Sequence, residues 1–587
     1  MAWETLADEV LETDVLIVGS EGAGARAAIE AAEQGGRVTL LSKGNLGKTG
    51  ATVTGDADID VDSRSCIELW GLPGDPRDSF EAFFEDMVRE GDYLNEQHLV
   101  WLHVTEAPAR VKELTDWGAK IDMLTHAPGH TYPRGVWIPG TEMMRVLKKE
   151  VERRPIQVIE HVLVTDLLTH GREVIGAVGL RLTDGRFCVF RARAVILCTG
   201  GAMRIYPHTT APQELTGDGM AMALRAGATL VDMEFPMFLP YIMIDPPSLD
   251  GVDFPYLLSA YVECHALNRQ GERYMKRWDP ERMERSTRDV NSVAAMVEIL
   301  EGRGSPRGGT YLSLKHLPDN LIQFTAEWFP ESFAHWKYGG FDMKAFIGDP
   351  TREAIETAPA CHFWNGGIRI NERCETTLPN LYAAGEGTGL LHGANRVSGN
   401  ALTQTQVWGR RAGRFAAEHA RGRPLGPIHE EQVAALRDRV FGPLERRDGM
   451  SPVELRRRVQ QVAWAEAGPV RSGEGLARGL QACVEMRTQL PHLWVRSPNR
   501  VYNREWMEAI QAENMLENLE MVIRAGVLRQ ESRGSAYRRD FPQMDNERWL
   551  VNIDLWRERG EIRLAPTPVV VTSLTPPKGI FNYGFRV

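Results

Sequence analysis

The chain has few cysteines and no long apolar run. The first feature argues against a cysteine-bound metal or haem site, and the second argues against a membrane-spanning helix. Its 7 cysteines among 587 residues are scattered, with no C-x-x-C pair. This spacing predicts no iron–sulfur cluster, haem attachment or zinc site, and we expect no bound metal. No run approaches the roughly 20 apolar residues of a membrane-spanning helix, so we expect no direct membrane insertion. The acidic residues 1–9 lack the pattern of an export signal, which favours a cytoplasmic location.

The remaining composition is that of an ordinary soluble globular protein. Apolar residues make up 43% of the chain and charged residues 25%, which is close to the usual balance. The net charge of -11 disfavours nucleic acid or anionic lipid as a partner. A chain of this length is expected to form several domains.

Near the amino end, the chain shows the order strand, turn, helix, strand. Residues 14–18 and 37–41 read as buried parallel strands, and the run Gly19-Ser20-Glu21-Gly22-Ala23-Gly24 opens a helix between them. This order predicts a dinucleotide-binding turn, with a diphosphate at the helix N-terminus. The middle glycine of the usual fingerprint is Glu21 here, so we expect its side chain to point away from the phosphates.

Two further Gly-rich turns follow apolar strands. Residues 194–199 lead into Gly200-Gly201, and the later run Thr216-Gly217-Asp218-Gly219 either brings Asp218 to a cofactor or serves only as a helix cap. Residues 381–384 lead into a run that contains Glu386, which suits a sugar hydroxyl, and Arg396, which offers a clamp for a carboxylate.

Together, these runs resemble the flavoprotein subunits of succinate dehydrogenase and fumarate reductase, with L-aspartate oxidase and the alpha subunit of adenylylsulfate reductase as more distant cousins. The resemblance covers residues 10–560 and is weakest over 236–350. It implies FAD rather than NAD, because Ser42-Lys43 stands where an NAD-binding strand carries an acidic ribose ligand. The implied FAD contacts are Gly19, Glu21, Gly22, Ala23, Gly24, Ser42, Lys43, Lys48, Thr49, Gly50, Ala51, Thr52, Gly200, Asp218, Glu386, Asn400, Ala401 and Leu402.

The resemblance also implies an α/β fold with a discontinuous Rossmann-like FAD-binding domain. An α+β capping domain is inserted into it, and a helical domain follows, with helical periodicity at 453–464, 477–488 and 506–525. Residues 529–542 match a charged segment of the family that we interpret as structural. The predicted divisions are 1–235 and 350–424 for the FAD-binding domain, 236–349 for the cap, 425–530 for the helical domain and 531–587 for a tail.

One departure from the family's sequence pattern predicts that FAD is bound non-covalently. Relatives with covalently attached FAD carry a histidine in a Ser-His-Thr run, whereas the run Lys48-Thr49-Gly50-Ala51-Thr52 places Gly50 at that position. A glycine has no side chain with which to form the bond.

Three positions match the family's substrate site. Arg273, in a Gly-Glu-Arg run, takes the place of the family's proton donor, and His362 and Arg396 take the places of carboxylate ligands. Considered singly, Arg273 could be a solvent-exposed arginine of a turn, and His362 could be a buried histidine whose hydrogen bonds are made within the core. Their family order around Arg396 favours the catalytic interpretation.

Other pocket positions have lost their polar groups. Leu239 replaces a carboxylate-binding histidine, while Tyr256 and Leu257 replace a threonine and a relay glutamate, with Tyr241 nearby. A second carboxylate there would be a buried, unpaired charge that costs several kcal/mol. We therefore expect an apolar pocket end and a substrate that is not a dicarboxylate. Glu263 and His265, shortly before Arg273, offer a substitute proton relay.

The leading hypothesis is an FAD-dependent oxidoreductase that acts on a C–C single or double bond next to a carboxylate or similar group of a small molecule. Because the cysteines build no second redox centre, we expect the partner to be a small iron–sulfur, ferredoxin-like electron-transfer subunit. Two alternatives stay open. One is a flavoprotein like the alpha subunit of adenylylsulfate reductase, with which the run 263–268 is compatible, and the other is an electron-relay flavoprotein without its own substrate.

Overall fold

The computed structural model describes residues 3–55, 58–253, 255–256, 259, 263–318, 320–321 and 354–584. Within these ranges, every helix is too short or too polar to cross a bilayer. The helices are α1 (Gly22–Glu33), α2 (Ser63–Trp70), α3 (Phe80–Glu90), α4 (Gln97–Asp116), α5 (Gly140–Glu152), α6 (Asp218–Ala226), α7 (Arg288–Leu300), α8 (Asn400–Ala420), α9 (Glu430–Glu445), α10 (Pro452–Ala467), α11 (Gly473–Arg487) and α12 (Arg504–Leu528).

The strands of the same ranges form several sheets. They are β1 (Glu9–Val18), β2 (Val38–Leu41), β3 (Asp58–Asp60), β4 (Met123–Thr125), β5 (Gly135–Trp137), β6 (Ile156–Ile159), β7 (Val162–His170), β8 (Glu173–Arg181), β9 (Arg186–Leu197), β10 (Leu230–Val231), β11 (Pro236–Met243), β12 (His265–Leu267), β13 (Thr310–Ser313), β14 (Ile355–Trp364), β15 (Gly367–Ile368), β16 (Leu381–Ala383), β17 (Val470–Arg471), β18 (Tyr537–Arg538), β19 (Gln543–Asp545), β20 (Val551–Glu558), β21 (Glu561–Pro568) and β22 (Ile580–Asn582).

The largest sheet carries the predicted strand–helix–strand unit. Its strand order is β6-β2-β1-β9-β8-β7, and β16 also pairs with β9. The strands β6, β2, β1, β9 and β16 run parallel, with Val15 opposite both Val38 and Ala194. The last four residues of β1 are all buried, as expected of a strand covered on both faces. The sheet confirms the predicted Rossmann-like α/β class.

A second sheet joins three strands of the region predicted as a cap, residues 236–349, to β14, which lies in the following segment, and one helix of the cap packs on this sheet. The strand order is β11-β14-β13-β12, all antiparallel, and α7 packs on β11. Residues of β11 and α7 share an apolar cluster that includes Tyr241, Met243 and Val290. Because β14 ends at Trp364, just before β15 and β16, this strand returns the chain to the large sheet. The domain divisions themselves stay a prediction.

The carboxy-terminal helices have the periodicity that the sequence predicts. The ranges of α10, α11 and α12 enclose or overlap the predicted helical segments, and these three helices pack on one another. Beyond them the chain returns as β20 and β21, which join β10 and β15 in a four-stranded sheet. In the connecting segment, the buried Glu531 is paired with Arg529 at 2.8 Å and with Arg533 at 2.7 Å, consistent with a structural role.

Candidate active site

A cavity opens where the parallel strands of the large sheet end. Gly19 follows β1, Ser42 follows β2, Gly200 follows β9 and Gly385 follows β16, and all four residues line the cavity. Carboxyl ends of parallel strands meet at one edge of a sheet, which is where ligands bind in open α/β folds.

The turn before α1 brings backbone into direct contact with backbone. Gly19 has φ +104°, and a Cβ there would lie 2.0 Å from the carbonyl oxygen of Cys198. A Cβ at Gly24 would lie 1.8 Å from the carbonyl oxygen of Gly19. Only glycine fits either position, so the N-terminus of α1 opens onto the cavity. Its first N–H groups and the helix dipole suit a diphosphate.

An ion pair stands on the wall next to this turn. Lys43 Nζ lies 2.7 Å from Asp218 and donates to the carbonyl oxygen of Glu214 at 2.7 Å. Asn514 and Thr216 also donate to Asp218, each at 2.8 Å. Although burial opposes its charge, Lys43 and these hydrogen bonds hold the pKa of Asp218 below its usual value. Asp218 is therefore ionised and held rigidly at the cavity.

Glu386 is the second acid on the cavity wall. Its carboxylate accepts hydrogen bonds from the backbone N–H groups of Gly201 at 3.1 Å and Trp364 at 3.0 Å. Burial raises its pKa to about 7, against the effect of these two hydrogen bonds and of Arg396. The carboxyl group suits a hydroxyl-bearing ligand, because it can accept from a hydroxyl when ionised and donate to it when protonated.

The side chain of Glu21 bends toward the loop that contains Gly50. Its carboxylate accepts from the N–H of Thr52 at 3.1 Å, and Gly22 N–H donates to Thr52 Oγ1 at 3.2 Å. A Cβ at Gly50 would lie 2.3 Å from the carboxyl carbon of Glu21. The space that a linking histidine would need at position 50 is therefore taken by Glu21.

Most of the predicted FAD contacts meet at this cavity. Lining residues among them are Gly19, Glu21, Ala23, Ser42, Lys43, Thr49, Gly50, Ala51, Thr52, Gly200, Asp218, Glu386, Ala401 and Leu402. Gly22, Gly24, Lys48 and Asn400 do not line it. Asn400 is a buried scaffold residue instead, because it donates to Asp60 at 2.7 Å and bonds His103 at 3.0 Å. The glycines of the turn and the N-terminus of α1 suit the diphosphate of FAD, and the acids Asp218 and Glu386 suit its hydroxyl groups. The residues present therefore fit FAD.

Arg396 and His362 line one end of the cavity. Arg396 lies over the ring of Phe363 at 4.5 Å and donates to the carbonyl oxygen of Val397, while its buried Nε has no hydrogen-bond partner among the described residues. Burial, with Arg288 nearby, lowers the pKa of Arg396 to about 9. A guanidinium with an unused donor in an apolar setting is a strong site for a carboxylate.

His362 is neutral at this end of the cavity. Its Nδ1 lies 2.8 Å from the hydroxyl of Thr210. Burial, followed by the charges of Arg396 and Arg288, holds its pKa well below the usual value. The ring therefore acts as a neutral hydrogen-bond partner, not as a cation.

A third cation, Arg288, also lines the cavity, although no sequence motif singles it out. It begins α7, and its Nε donates to Tyr256 Oη at 2.9 Å and its Nη2 to Ser398 Oγ at 2.6 Å. The buried Nη1 has no hydrogen-bond partner among the described residues. The available signal was Thr287-Arg288-Asp289 before an apolar helical run, a pattern of a helix start that says nothing about a cavity.

Arg273 is not at the cavity, which corrects its placement at the polar end of the pocket. Glu284 binds its guanidinium with Nε–Oε1 at 2.9 Å and Nη2–Oε2 at 2.5 Å, and Glu263 lies 3.6 Å away. His265 stacks on His316 with 3.6 Å between ring centroids. Glu263 and His265 thus surround a turn on the cap. The local Gly-Glu-Arg pattern specifies the turn, but Glu284 determines where the arginine points.

Two of the four residues predicted for an apolar pocket end line the cavity, and one of them, Tyr256, also contacts Arg288. Leu239 and Tyr256 line the cavity and belong to one buried apolar cluster with Ile242 and Ala360. Tyr241 does not line it, because its hydroxyl turns to Asn291 at 2.7 Å. Leu257 lies outside the described residues.

The sequence of the chain matches two protein-family models and a number of known proteins. Residues 14–402 match the model of the FAD binding domain, and residues 456–580 match that of the fumarate reductase flavoprotein C-terminus. One chain of a fumarate reductase (CoM/CoB) from Methanothermobacter marburgensis is 39% identical over 567 residues, which cover 94% of this chain and 98% of that protein.

Two solved structures extend the comparison. A quinol fumarate reductase from Escherichia coli is 28% identical, covers 97% of this chain and 99% of that one, and has a TM-score of 0.85. An adenosine-5-phosphosulfate reductase in complex with sulfite has a TM-score of 0.78 at 22% identity, covering 97% of this chain and 98% of that one. This second likeness concerns the fold alone.

Proposed function

The chain belongs to the fumarate reductase and succinate dehydrogenase flavoprotein family of FAD-dependent oxidoreductases, and from this premise we propose that it reduces or forms a C–C double bond beside a single carboxylate. The rest of the substrate is apolar or aromatic. The observation that carries this proposal is the polarity of the cavity. Arg288, His362 and Arg396 line it together with Leu239 and Tyr256.

Each residue has a separate task in this proposal. Arg396 holds the carboxylate through its unused Nε–H, and neutral His362 adds a hydrogen bond without adding charge. Leu239 and Tyr256 take up the apolar tail, because each buried methylene gains about 0.8 kcal/mol. These contacts orient the reacting carbons and exclude water, which is where much of the rate is gained.

Arg288 holds the proton that is exchanged with the substrate carbon. Its Nη1 is buried without a hydrogen-bond partner in the described ranges, while Nε and Nη2 are fixed by Tyr256 and Ser398. The N–H groups of Nη1 are thereby free to face a substrate, while the rest of the guanidinium is immobilised. The Tyr256 hydroxyl at 2.9 Å offers the first step of a route that reprotonates the guanidinium. Bound FAD supplies the two-electron exchange with the C–C bond.

Fumarate is the competing substrate, because the relative with 39% identity is named a fumarate reductase. A dicarboxylate would place its second charge at the apolar end. Leu239 carries no polar atom there, and the Tyr256 hydroxyl, which accepts from Arg288, can donate one hydrogen bond but carries no charge. Arg288 is assigned to the proton exchange. Burying a second carboxylate without a cation of its own costs several kcal/mol, so we favour the monocarboxylate.

We propose that FAD is bound without a covalent link. Glycine at position 50 offers no nucleophile, and Glu21 takes up the space of a side chain there.

We also propose a separate electron-carrying protein, a small iron–sulfur subunit. The 7 cysteines are all buried as free thiols, and the described residues contain no group of three metal-ligating side chains. A flavin without a second redox centre in its own chain exchanges electrons with a separate protein, a soluble nicotinamide or oxygen, and of these we favour the protein partner. Purification from the native source should yield a second, Cys-rich chain with broad visible absorption. A protein that purifies alone, and whose reduced flavin reacts rapidly with oxygen or a nicotinamide, would contradict this.

The reaction class is tested with a reduced viologen dye and a panel of α,β-unsaturated acids. We expect dye oxidation with at least one monocarboxylate that carries an apolar tail. Adenylyl sulfate belongs in the panel as the substrate of the first alternative. Dye oxidation by none of these compounds, with FAD bound and reducible, would favour the electron-relay alternative instead.

A further inference from the structure

Glu21 stands at the point of the α1 turn where the fingerprint normally has its middle glycine. That glycine lets a diphosphate rest against the backbone. Glu21 is the N-cap residue of α1, but its side chain makes no capping hydrogen bond. The carboxyl group turns along the cavity wall toward the loop 49–52 and accepts from Thr52 N–H at 3.1 Å. An acidic side chain thus lines the same cavity as the turn that suits a diphosphate, whereas the sequence alone favours a side chain that points away from the phosphates.

No cation neutralises this carboxyl group within the described ranges. Glu21 makes no ion pair there, and the nearby Lys43 is occupied by Asp218 at 2.7 Å. The other facing acid is Glu214, which adds a second negative charge. Lys48, on the facing loop, does not line the cavity. Burial, opposed by hydrogen bonds from Thr52 and Val53 and aided by Glu214, raises the pKa of Glu21 to about 8.

Two states of the side chain have opposite consequences for FAD. An ionised carboxylate beside the diphosphate would repel two negative charges in a partly dry cavity. A protonated carboxyl group is a donor, and an O–H···O⁻ hydrogen bond to a phosphate oxygen is among the stronger kinds. The helix N-terminus stabilises the phosphate in both cases and does not distinguish them.

We propose that Glu21 binds FAD as a carboxylic acid and donates its O–H to the diphosphate. This inference concerns the cofactor alone and is independent of the substrate assigned above. The diphosphate raises the pKa of Glu21 further in the complex, because it penalises the ionised form. The contribution of Glu21 to affinity is then complete below the pKa of the FAD-free protein, about 8. It is lost progressively as the pH rises from there to the higher pKa of the complex.

The test measures the FAD dissociation constant of FAD-free protein by quenching of flavin fluorescence, from about pH 6.5 to about pH 9.5. Wild type should bind with constant affinity up to about pH 8 and weaken above it by up to tenfold per pH unit. Glu21→Gln keeps the size and a hydrogen-bond donor but cannot ionise. Its dissociation constant should stay flat over the same range. Glu214→Gln serves as the matched control, because it removes a neighbouring acid and should retain the pH dependence, moved to a different pH.

Three results would overturn the proposal: a flat wild-type profile, parallel profiles for wild type and Glu21→Gln, or weaker binding of FAD by Glu21→Gln at neutral pH. Calorimetric titration of the wild type with FAD at about pH 8.5, in two buffers of different ionisation enthalpy, needs no variant. We expect uptake of up to one proton per FAD bound. Release of protons, or none exchanged, would contradict a protonated Glu21 even if the glutamine variant does not fold.

Discussion

Exchanging Arg288 for glutamine separates the two arginines that the sequence and the structure favour as proton donor. Arg288→Gln removes the charge and the acid but keeps an amide near Tyr256 and Ser398. Loss of a general acid lowers turnover about 10²–10⁴-fold, which is about 2.7–5.4 kcal/mol of activation free energy. The hydrogen bonds at 2.9 and 2.6 Å come from a charged group and contribute about 1.5–3 kcal/mol each to stability, of which the glutamine amide can retain a part. We therefore expect a folded, yellow and nearly inactive protein.

Arg273→Gln is the matched control, because it makes the same chemical change outside the cavity. Its partner Glu284 is 2% exposed and would be left unpaired apart from the N–H of Ala266 at 2.8 Å. Removing one partner of a buried ion pair costs about 3–5 kcal/mol, so this variant should lose stability and keep its turnover per bound FAD.

The assay compares dye-linked turnover, flavin content and urea unfolding for both variants. A large loss of turnover in Arg273→Gln together with near-normal turnover in Arg288→Gln would refute the assignment. Equal losses in both, at equal flavin content, would show that neither position is specific to the proton transfer.

Three further predictions concern affinity, the flavin linkage and specificity. The KM for a carboxylate substrate should be constant below about pH 9 and rise above it. Burial lowers the pKa of Arg396 to about 9 in the free protein, and the bound carboxylate raises the pKa of Arg396 in the complex. A KM that falls with rising pH would contradict this. Acid precipitation should leave the flavin in the supernatant because Gly50 cannot be linked, whereas fluorescence that stays with the polypeptide on a denaturing gel would show a covalent bond. Leu239→His should raise kcat/KM for fumarate about 10–100-fold, since a hydrogen bond to a charged group contributes about 1.5–3 kcal/mol; an unchanged value would mean that this position does not face the substrate.

The parts of the fold that depend on local pattern could be predicted from the sequence. Residues 14–41 form β1, α1 and β2 as expected, because apolar runs and a glycine turn specify strand and helix within one short segment. The helices α10 to α12 follow from periodicity in the same way. The sequence does not predict that β20 pairs with β10, because these strands lie more than 300 residues apart and no local signal marks the pairing.

In the candidate site, too, the features set by local sequence could be predicted, and those that depend on distant segments could not. The residues of the Gly-rich turns reach the cavity because each turn follows a strand of one parallel sheet. The position of Arg273 outside the cavity could not be read from the sequence, since it depends on Glu284, which is contributed by a separate turn of the cap. The contact of Glu21 with Gly50 also joins two segments, and it becomes visible only when the loop 49–52 folds over the turn.

The central claim is that the pocket receives one carboxylate and an apolar tail. It is tested most directly by kcat/KM for an aryl acrylate and for fumarate, measured with the same reduced dye on one preparation of the wild-type protein. We predict a value at least about tenfold higher for the aryl acrylate, because a second carboxylate at Leu239 would be buried without a partner. A value for fumarate that equals or exceeds that of the aryl acrylate would contradict the account.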